Sequence, residues 1–194
     1  FFLLLENPGY YVDNLSDLIS GRGFVFYGSL LFCIPAMLIF FKTNKLPTLA
    51  MLDIMAVVTC IVHFFGRLGC FMAGCCHGIE WHGPLAVTFT NPKCLAPIGI
   101  PLHPTQLYSM FGILMILLLL FLIKNYQKFN GQLFISYLML YAVVRAIIEI
   151  FRGDISRGFV VDDILSHSQF ISLIVMVFAG YFYFKLNKKH SHKH

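Results

Sequence analysis

Charge is scarce in this chain. Only 12% of its 194 residues are Asp, Glu, Lys or Arg, about half the share of a water-soluble domain. The shortage excludes an ordinary soluble protein, because most of the surface must face something other than water. No soluble core large enough for catalysis is evident. The excess of basic over acidic residues is small, a net +5, and needs no nucleic-acid partner. Basic residues gather at segment ends, where membrane topology and anionic headgroups account for them. An initiating methionine is also missing. The chain opens abruptly on Phe1–Leu5, a run too short to span a bilayer and without a charged flank. The expectation is that an N-terminal portion with further spans precedes it.

What is present is apolar. The composition is 58% hydrophobic and the mean hydropathy is +0.78. A helix needs about 20 apolar residues to cross the hydrocarbon core. Five runs approach that length: Phe24–Phe41, Leu49–Phe65, Leu107–Ile123, Leu133–Phe151 and Phe170–Phe184. Asp53 and Arg145 interrupt two of them. The fold class expected is all-α, a polytopic membrane bundle forming one domain over residues 1–194. Lys42, Lys45, Lys124, Lys128, Lys185, Lys188, Lys189 and Lys193 fall on one side of a five-span arrangement, and loops rich in Lys and Arg stay cytoplasmic. The C-terminus, with a basic tail over 185–194, is then cytoplasmic. His190, His192 and His194 read as part of that solvated anchor.

Every polar cluster then lies at the outer end of a span. The densest is Gly66–Gly78, thirteen residues with one Arg, three Cys, one His and four Gly. Four glycines weaken a helix, so irregular backbone is expected here, within an outer-face motif loop over 66–104. His103 and Pro104 precede the third span, where proline suits a first helical turn. The histidine serves there as a general base or as a headgroup-level cap. Gln106 and Tyr108 carry the same two readings. Arg145, Glu149 and Arg152 follow at i, i+4 and i+7, one helix face. A carboxylate between two guanidiniums leaves one positive charge, which suits a phosphate. An ion-pair clamp between helices is the alternative. Gly21–Gly23 with Tyr27, and Asp162–Gln169, complete the five segments. Their convergence points to a site on the outer leaflet.

The six cysteines divide. Cys33 and Cys60 sit in apolar runs and read as small core residues. Cys70, Cys75, Cys76 and Cys94 lie on the outer side, where disulfides persist. A bridge from Cys94 to one of the others is one reading. A nucleophilic or redox thiol at Cys75 or Cys76, beside Arg67 and His77, is another. Cys70, Cys75, Cys76 and His77 are chemically suitable metal ligands, but their spacing matches no familiar zinc pattern, and no metal site or cofactor is assigned.

Gly66-Arg67-Leu68-Gly69, followed by Gly74 and Gly78, resembles the signature of the prolipoprotein diacylglyceryl transferase family. So do His103-Pro104-Thr105-Gln106-Leu107-Tyr108 and Arg145, Glu149 and Arg152. Fainter matches are Phe26-Tyr27-Gly28-Ser29-Leu30 and Leu165-Ser166-His167-Ser168-Gln169. The motifs fall in the family's order and cover nearly the whole chain. The resemblance implies a bacterial inner-membrane transferase, active at its outer face. It would move a diacylglyceryl group from phosphatidylglycerol to the lipobox cysteine of a secreted preprotein, releasing glycerol phosphate. It implies further N-terminal spans. It makes Arg67 and Arg145 ligands of the headgroup phosphate, supported by Glu149 and Arg152. It puts Tyr27 where members carry a catalytic His or Tyr.

The chain departs from the pattern at two places. Cys70 stands where the family has Asn, and Ala73-Gly74-Cys75 where it has Asn-Gly-Glu. An amide and a carboxylate are thereby replaced by thiols and a methyl. Two other readings follow: a thiol-based redox enzyme, or a binder of soft metals or thiophiles, each using Cys75 and Cys76 on the same scaffold. The candidate catalytic residues are Tyr27, His103, Arg145, Glu149, Cys75 and Cys76. The candidate substrate-binding residues are Arg67, Arg152, Cys70, His77, Gln106, Tyr108 and Gln169.

Overall fold

Backbone N–H and C=O groups in a bilayer must be bonded within their own segment, and apolar runs of this length therefore become helices. A computed structural model of the chain describes residues 26–152, 159–161 and 165–191. Its helices are α1 (Phe26–Thr43), α2 (Thr48–Ala73), α3 (Thr105–Asn125), α4 (Gln132–Ile150) and α5 (His167–Ser191). Among the described residues four stretches are long and apolar enough to cross a membrane: Thr48–Ala73, Thr105–Asn125, Gln132–Ile150 and Gln169–Lys188. They correspond to four of the five expected spans. In α1 the described apolar stretch is the shorter Cys33–Thr43. Large apolar side chains on all four long helices point outward, among them Val62, Phe65, Phe111, Leu122, Val143, Val177 and Phe184. Such extensive apolar surface suits contact with lipid. The protein is a multi-pass, all-α membrane protein.

The chain divides after Met51 into two compact units. In the first, Thr43 Oγ1 and Asn44 Nδ2 both donate to the Phe40 carbonyl and close the end of α1.

In the second unit, α2, α3 and α4 share a core of Ala56, Cys60, Ile113, Ile116, Leu120, Leu133 and Tyr137. A smaller core of Phe129, Ile135 and Ala179 joins α5 to α4. The charge that interrupts the second span, Asp53, is structural. Its carboxylate is buried and accepts hydrogen bonds from Gln127 Nε2 (2.7 Å), Gly131 N (2.7 Å) and Phe134 N (2.9 Å). It thus caps α4 from a neighbouring helix, satisfying N–H groups that α4 itself leaves open.

The two-residue strands β1 (Val87–Thr88) and β2 (Pro101–Leu102) pair antiparallel. So do β3 (Phe159–Val161) and β4 (Leu165–Ser166), with a bulge between Phe159 and Val161. The expectation of irregular backbone from Gly66 onward is corrected. Helix α2 runs on through Gly66, Gly69 and Cys70 to Ala73. Neither Gly66 nor Gly69 has any atom within 4 Å of where a Cβ would stand, so no packing demands glycine there.

Candidate functional site

Helix α2 ends in a Schellman motif. Gly74 N donates to Phe71 O and Cys75 N to Cys70 O, both at 3.1 Å, and Gly74 takes the left-handed φ of +69° that such an ending needs. This turn brings the residue after the glycine back over the last helical turn, which here places Cys75 beside Cys70. Cys76 is also left-handed, with φ +59°, a conformation that costs a non-glycine residue about 1–2 kcal/mol. Helix α3 holds the turn. Thr105 Oγ1 donates to the Cys76 carbonyl at 2.6 Å and Gln106 Nε2 to the Cys75 carbonyl at 2.7 Å. Both side chains are buried.

Beyond the turn the chain is threaded between two others. Gly78 N donates to His103 O, His103 N to Ile79 O, Ile79 N to Phe151 O and Trp81 N to Pro101 O, all at 2.9–3.1 Å. A Cβ on Gly78 would collide with the Phe151 carbonyl and with His103. The segments after α2, before α3 and after α4 therefore meet at one end of the bundle. These are three of the five polar segments expected to converge. Arg22 and Asp162–Ile164 lie outside the described residues, as do the side chains of Tyr27, Ser166 and His167.

His103 is buried in an aromatic box. The Trp81 ring stacks on it with centroids 4.3 Å apart and planes 7° apart. Phe151 lies at 5.3 Å, and Nδ1 is 3.1 Å from the Tyr108 hydroxyl.

The arginines meet elsewhere at this end. Arg67, Arg145 and Arg152 line one open cleft, with His63, Ser109 and Tyr141. The cleft is narrow, with a cavity volume of about 10 Å³, room for about one water molecule. Its walls come from α2, α3 and α4. Arg145 is ion-paired with Glu149 one turn along. Arg67 Nε donates to His63 Nε2 at 3.2 Å, and the His63 ring lies 5.4 Å from Tyr141. His63 and Tyr141 were not singled out from sequence. Each precedes a candidate arginine by four residues, the spacing that places them on its face.

The cleft borders the thiols. Arg67 Nη1 is 4.0 Å from Cys70 Sγ. The Arg152 guanidinium lies against Cys76 by charge and hydrogen bond. The Cys70, Cys75 and Cys76 sulfurs lie within 4.8 Å of one another. Burial works to raise the Cys76 thiol, but Arg152 and Arg67 hold it below its ordinary value. Cys75 is pushed up to about 12, by burial first and then by hydrogen bonding with Cys70. All six cysteines are free, so the bridge from Cys94, one of the alternatives read from the sequence, is not formed, and Cys94 Sγ donates to Ala96 O at 3.5 Å. His77 is outside the thiol cluster, its Nδ1 engaged by the Gly78 carbonyl at 3.0 Å.

The structure therefore brings together Arg67, Arg145, Glu149, Arg152, Cys70, Cys75 and Cys76. Gln106 backs the turn. His103 and Tyr108 form the separate box and do not line the cleft. Gln169 stands half-buried near the start of α5.

Comparison with known proteins adds to this geometry. The sequence profile of the family described as prolipoprotein diacylglyceryl transferase matches residues 2–185. A phosphatidylglycerol–prolipoprotein diacylglyceryl transferase of Clostridium tetani is similar, 39% identical over 186 residues, covering 95% of this chain and 70% of the relative. A protein named phosphatidylglycerol–prolipoprotein diacylglyceryl transferase 2, from Clostridium perfringens, is 33% identical over 87% of this chain and 64% of its own length. One from Dehalococcoides mccartyi is 30% identical over 93% of this chain and 68% of its own.

Proposed function

The chain belongs to the prolipoprotein diacylglyceryl transferase family, and from that premise we propose that it moves the diacylglyceryl group of phosphatidylglycerol onto the lipobox cysteine thiol of a secreted preprotein. The observation that carries this reading is the cleft lined by Arg67 of α2, Arg145 of α4 and Arg152 just beyond α4, with Glu149 ion-paired to Arg145. Three guanidiniums on the walls of one cleft concentrate positive charge in an apolar bundle, and a phosphodiester headgroup meets arginine's paired donors.

The chemistry needs that charge. The acceptor thiolate attacks the diacylglyceryl carbon, a C–S bond forms and the C–O bond to phosphate breaks. Glycerol phosphate leaves with the electron pair and gains a negative charge. Arginines lining the cleft stabilise the developing charge on those oxygens. Glu149 holds Arg145 in place, and His63 does the same for Arg67. His103, with Nδ1 engaged by Tyr108, keeps the strap of residues 78–81 in position. Tyr27 and Gln169 enter by their places in the family's motifs alone, Tyr27 as a catalytic candidate and Gln169 as a lipid-binding one. His77 flanks the acceptor path. The polar end faces outward across the bacterial plasma membrane and the basic tail faces the cytoplasm.

The test is direct. Purified full-length protein, given phosphatidylglycerol and a lipobox peptide, should yield a thioether-linked peptide and glycerol phosphate. Arg145→Gln should lower kcat/KM by roughly 10²-fold or more, the scale for losing a transition-state donor. No thioether product with any anionic phospholipid would sink the proposal.

A further inference from the structure

The family's Asn and Glu have been replaced by thiols at the mouth of an arginine cleft, and these two sulfurs lie together with a third. Cys70, Cys75 and Cys76 place Sγ atoms within 4.8 Å of one another. Three separate local devices produce this cluster. The Schellman turn at Gly74 returns Cys75 to Cys70. The left-handed Cys76 (φ +59°) turns the third thiol inward. Thr105 and Gln106 fix both loop carbonyls from a neighbouring helix. A strained non-glycine backbone held by buried partners is a common mark of a working site.

We infer that Cys70, Cys75 and Cys76 form a three-thiolate site for a soft divalent ion of the zinc class, whose fourth position takes the acceptor thiol. This deepens the transferase reading and rests on it.

The geometry fits. Zinc–sulfur bonds of about 2.3 Å in a tetrahedron put sulfurs about 3.8 Å apart. The thiols need to close by no more than about 1 Å, a rotamer adjustment rather than a refolding. The donor set fits too, since thiolates select soft ions over magnesium or calcium. Three protein ligands with an open fourth position are the pattern of catalytic rather than structural zinc.

Two arginines beside a cation site look adverse, but the charges favour it. Three thiolates around a divalent ion carry one net negative charge. Arg67, 4.0 Å from Cys70 Sγ, and Arg152, against Cys76, then serve as counterions. The same two guanidiniums line the cleft. A phosphate held there would lie next to the ion's open position.

The acceptor thiol binds the ion and loses its proton to solvent, because a thiol coordinated to such an ion is deprotonated. The metal-held thiolate attacks the diacylglyceryl carbon. The C–S bond forms, the C–O bond breaks, and glycerol phosphate departs with the bonding pair and one added negative charge. No electrons are exchanged with any further reagent. The ion supplies the thiolate that the missing carboxylate would otherwise help to generate.

The test uses full-length protein purified in detergent under reducing conditions, without a polyhistidine tag. After loading with zinc(II) and desalting, roughly one zinc per chain should remain, as for one three-thiolate site. The Cys70→Ser, Cys75→Ser and Cys76→Ser triple variant should hold at least about tenfold less. Cobalt(II) loaded instead should give thiolate-to-cobalt charge-transfer absorption, read on unaltered protein and so independent of whether the variant folds. No such absorption, a disulfide within the triad under these conditions, or equal zinc in the triple variant (as the tail histidines would produce) would overturn the site. Transfer from phosphatidylglycerol to a lipobox peptide should stop with a chelator and return with zinc. Transfer that ignores the chelator overturns the metal step and leaves the transferase reading standing. Zinc and cobalt bound at the thiols without transfer to any cysteine acceptor overturns the transferase reading and the fourth-position step, while the metal site remains.

Discussion

Arg67 is held by its own helix. His63, one turn earlier, accepts from its Nε, and Nη1 reaches Cys70 Sγ, so the guanidinium is fixed at the wall of the cleft. His63→Ala should therefore raise KM for phospholipid several-fold more than it lowers kcat, with His63→Gln restoring part of the loss. Equal falls in kcat and kcat/KM would instead assign His63 to the transition state. Glu149 does the corresponding work for Arg145. Glu149→Gln should lower kcat/KM by roughly ten- to a hundredfold, the cost of loosening a catalytic ligand through its supporting partner. Legibility at this scale was uneven. The i, i+4, i+7 pattern of Arg145, Glu149 and Arg152 is visible in the residues alone, because helical spacing alone sets the face. His63 and Tyr141 passed unnoticed because single polar residues in an apolar run read as core. The nearness of Cys70 and Cys75 follows from glycine at 74, if that glycine is read as a helix ending rather than as a helix breaker. Cys76 could not be read in this way, since no residue preference signals a left-handed cysteine.

At the scale of elements, the interrupting charge of the second span belongs to the start of α4. Asp53 satisfies two backbone donors there and one side chain of the preceding loop. Asp53→Ala deprives the two backbone donors of this acceptor, each such loss costing about 1–3 kcal/mol, while Gln127 keeps the Phe129 carbonyl. A clear drop in the detergent melting temperature is expected, while KM of the folded fraction stays unchanged. The α3–α4 contact is equally exacting. A Cβ on Gly112 would stand 2.6 Å from Val144 Cγ1, so Gly112→Leu should destabilise the bundle by about 1–3 kcal/mol through overpacking, read by the same melt. Hydrophobic runs sufficed to place α3, α4 and α5 to within a few residues, the polar tail of α5 apart. The end of α2 was misplaced by eight residues, Phe65 against Ala73. The polar residues from Gly66 onward look like a loop, yet a helix that has left the hydrocarbon tolerates them, and it continues until Gly74 stops it.

For the whole molecule, the polar segments after α2, before α3 and after α4 share one end of the described bundle, and the basic tail begins at the far end of α5. A fluorescent protein fused to the C-terminus should fold and fluoresce inside the cell, whereas a periplasmic reporter there should stay inactive. The reverse would invert the proposed orientation. The strap over 78–81, bonded on one side to 101–103 and on the other to 151–152, closes this end through main-chain groups. Thr105 and Gln106 likewise grip the carbonyls of Cys76 and Cys75, leaving the cysteine side chains out of the work of folding. Such a loop keeps its shape whatever it displays. An amide, a carboxylate or a thiol can then stand at these positions on the same main-chain frame, so the chemistry of the loop is separable from its fold.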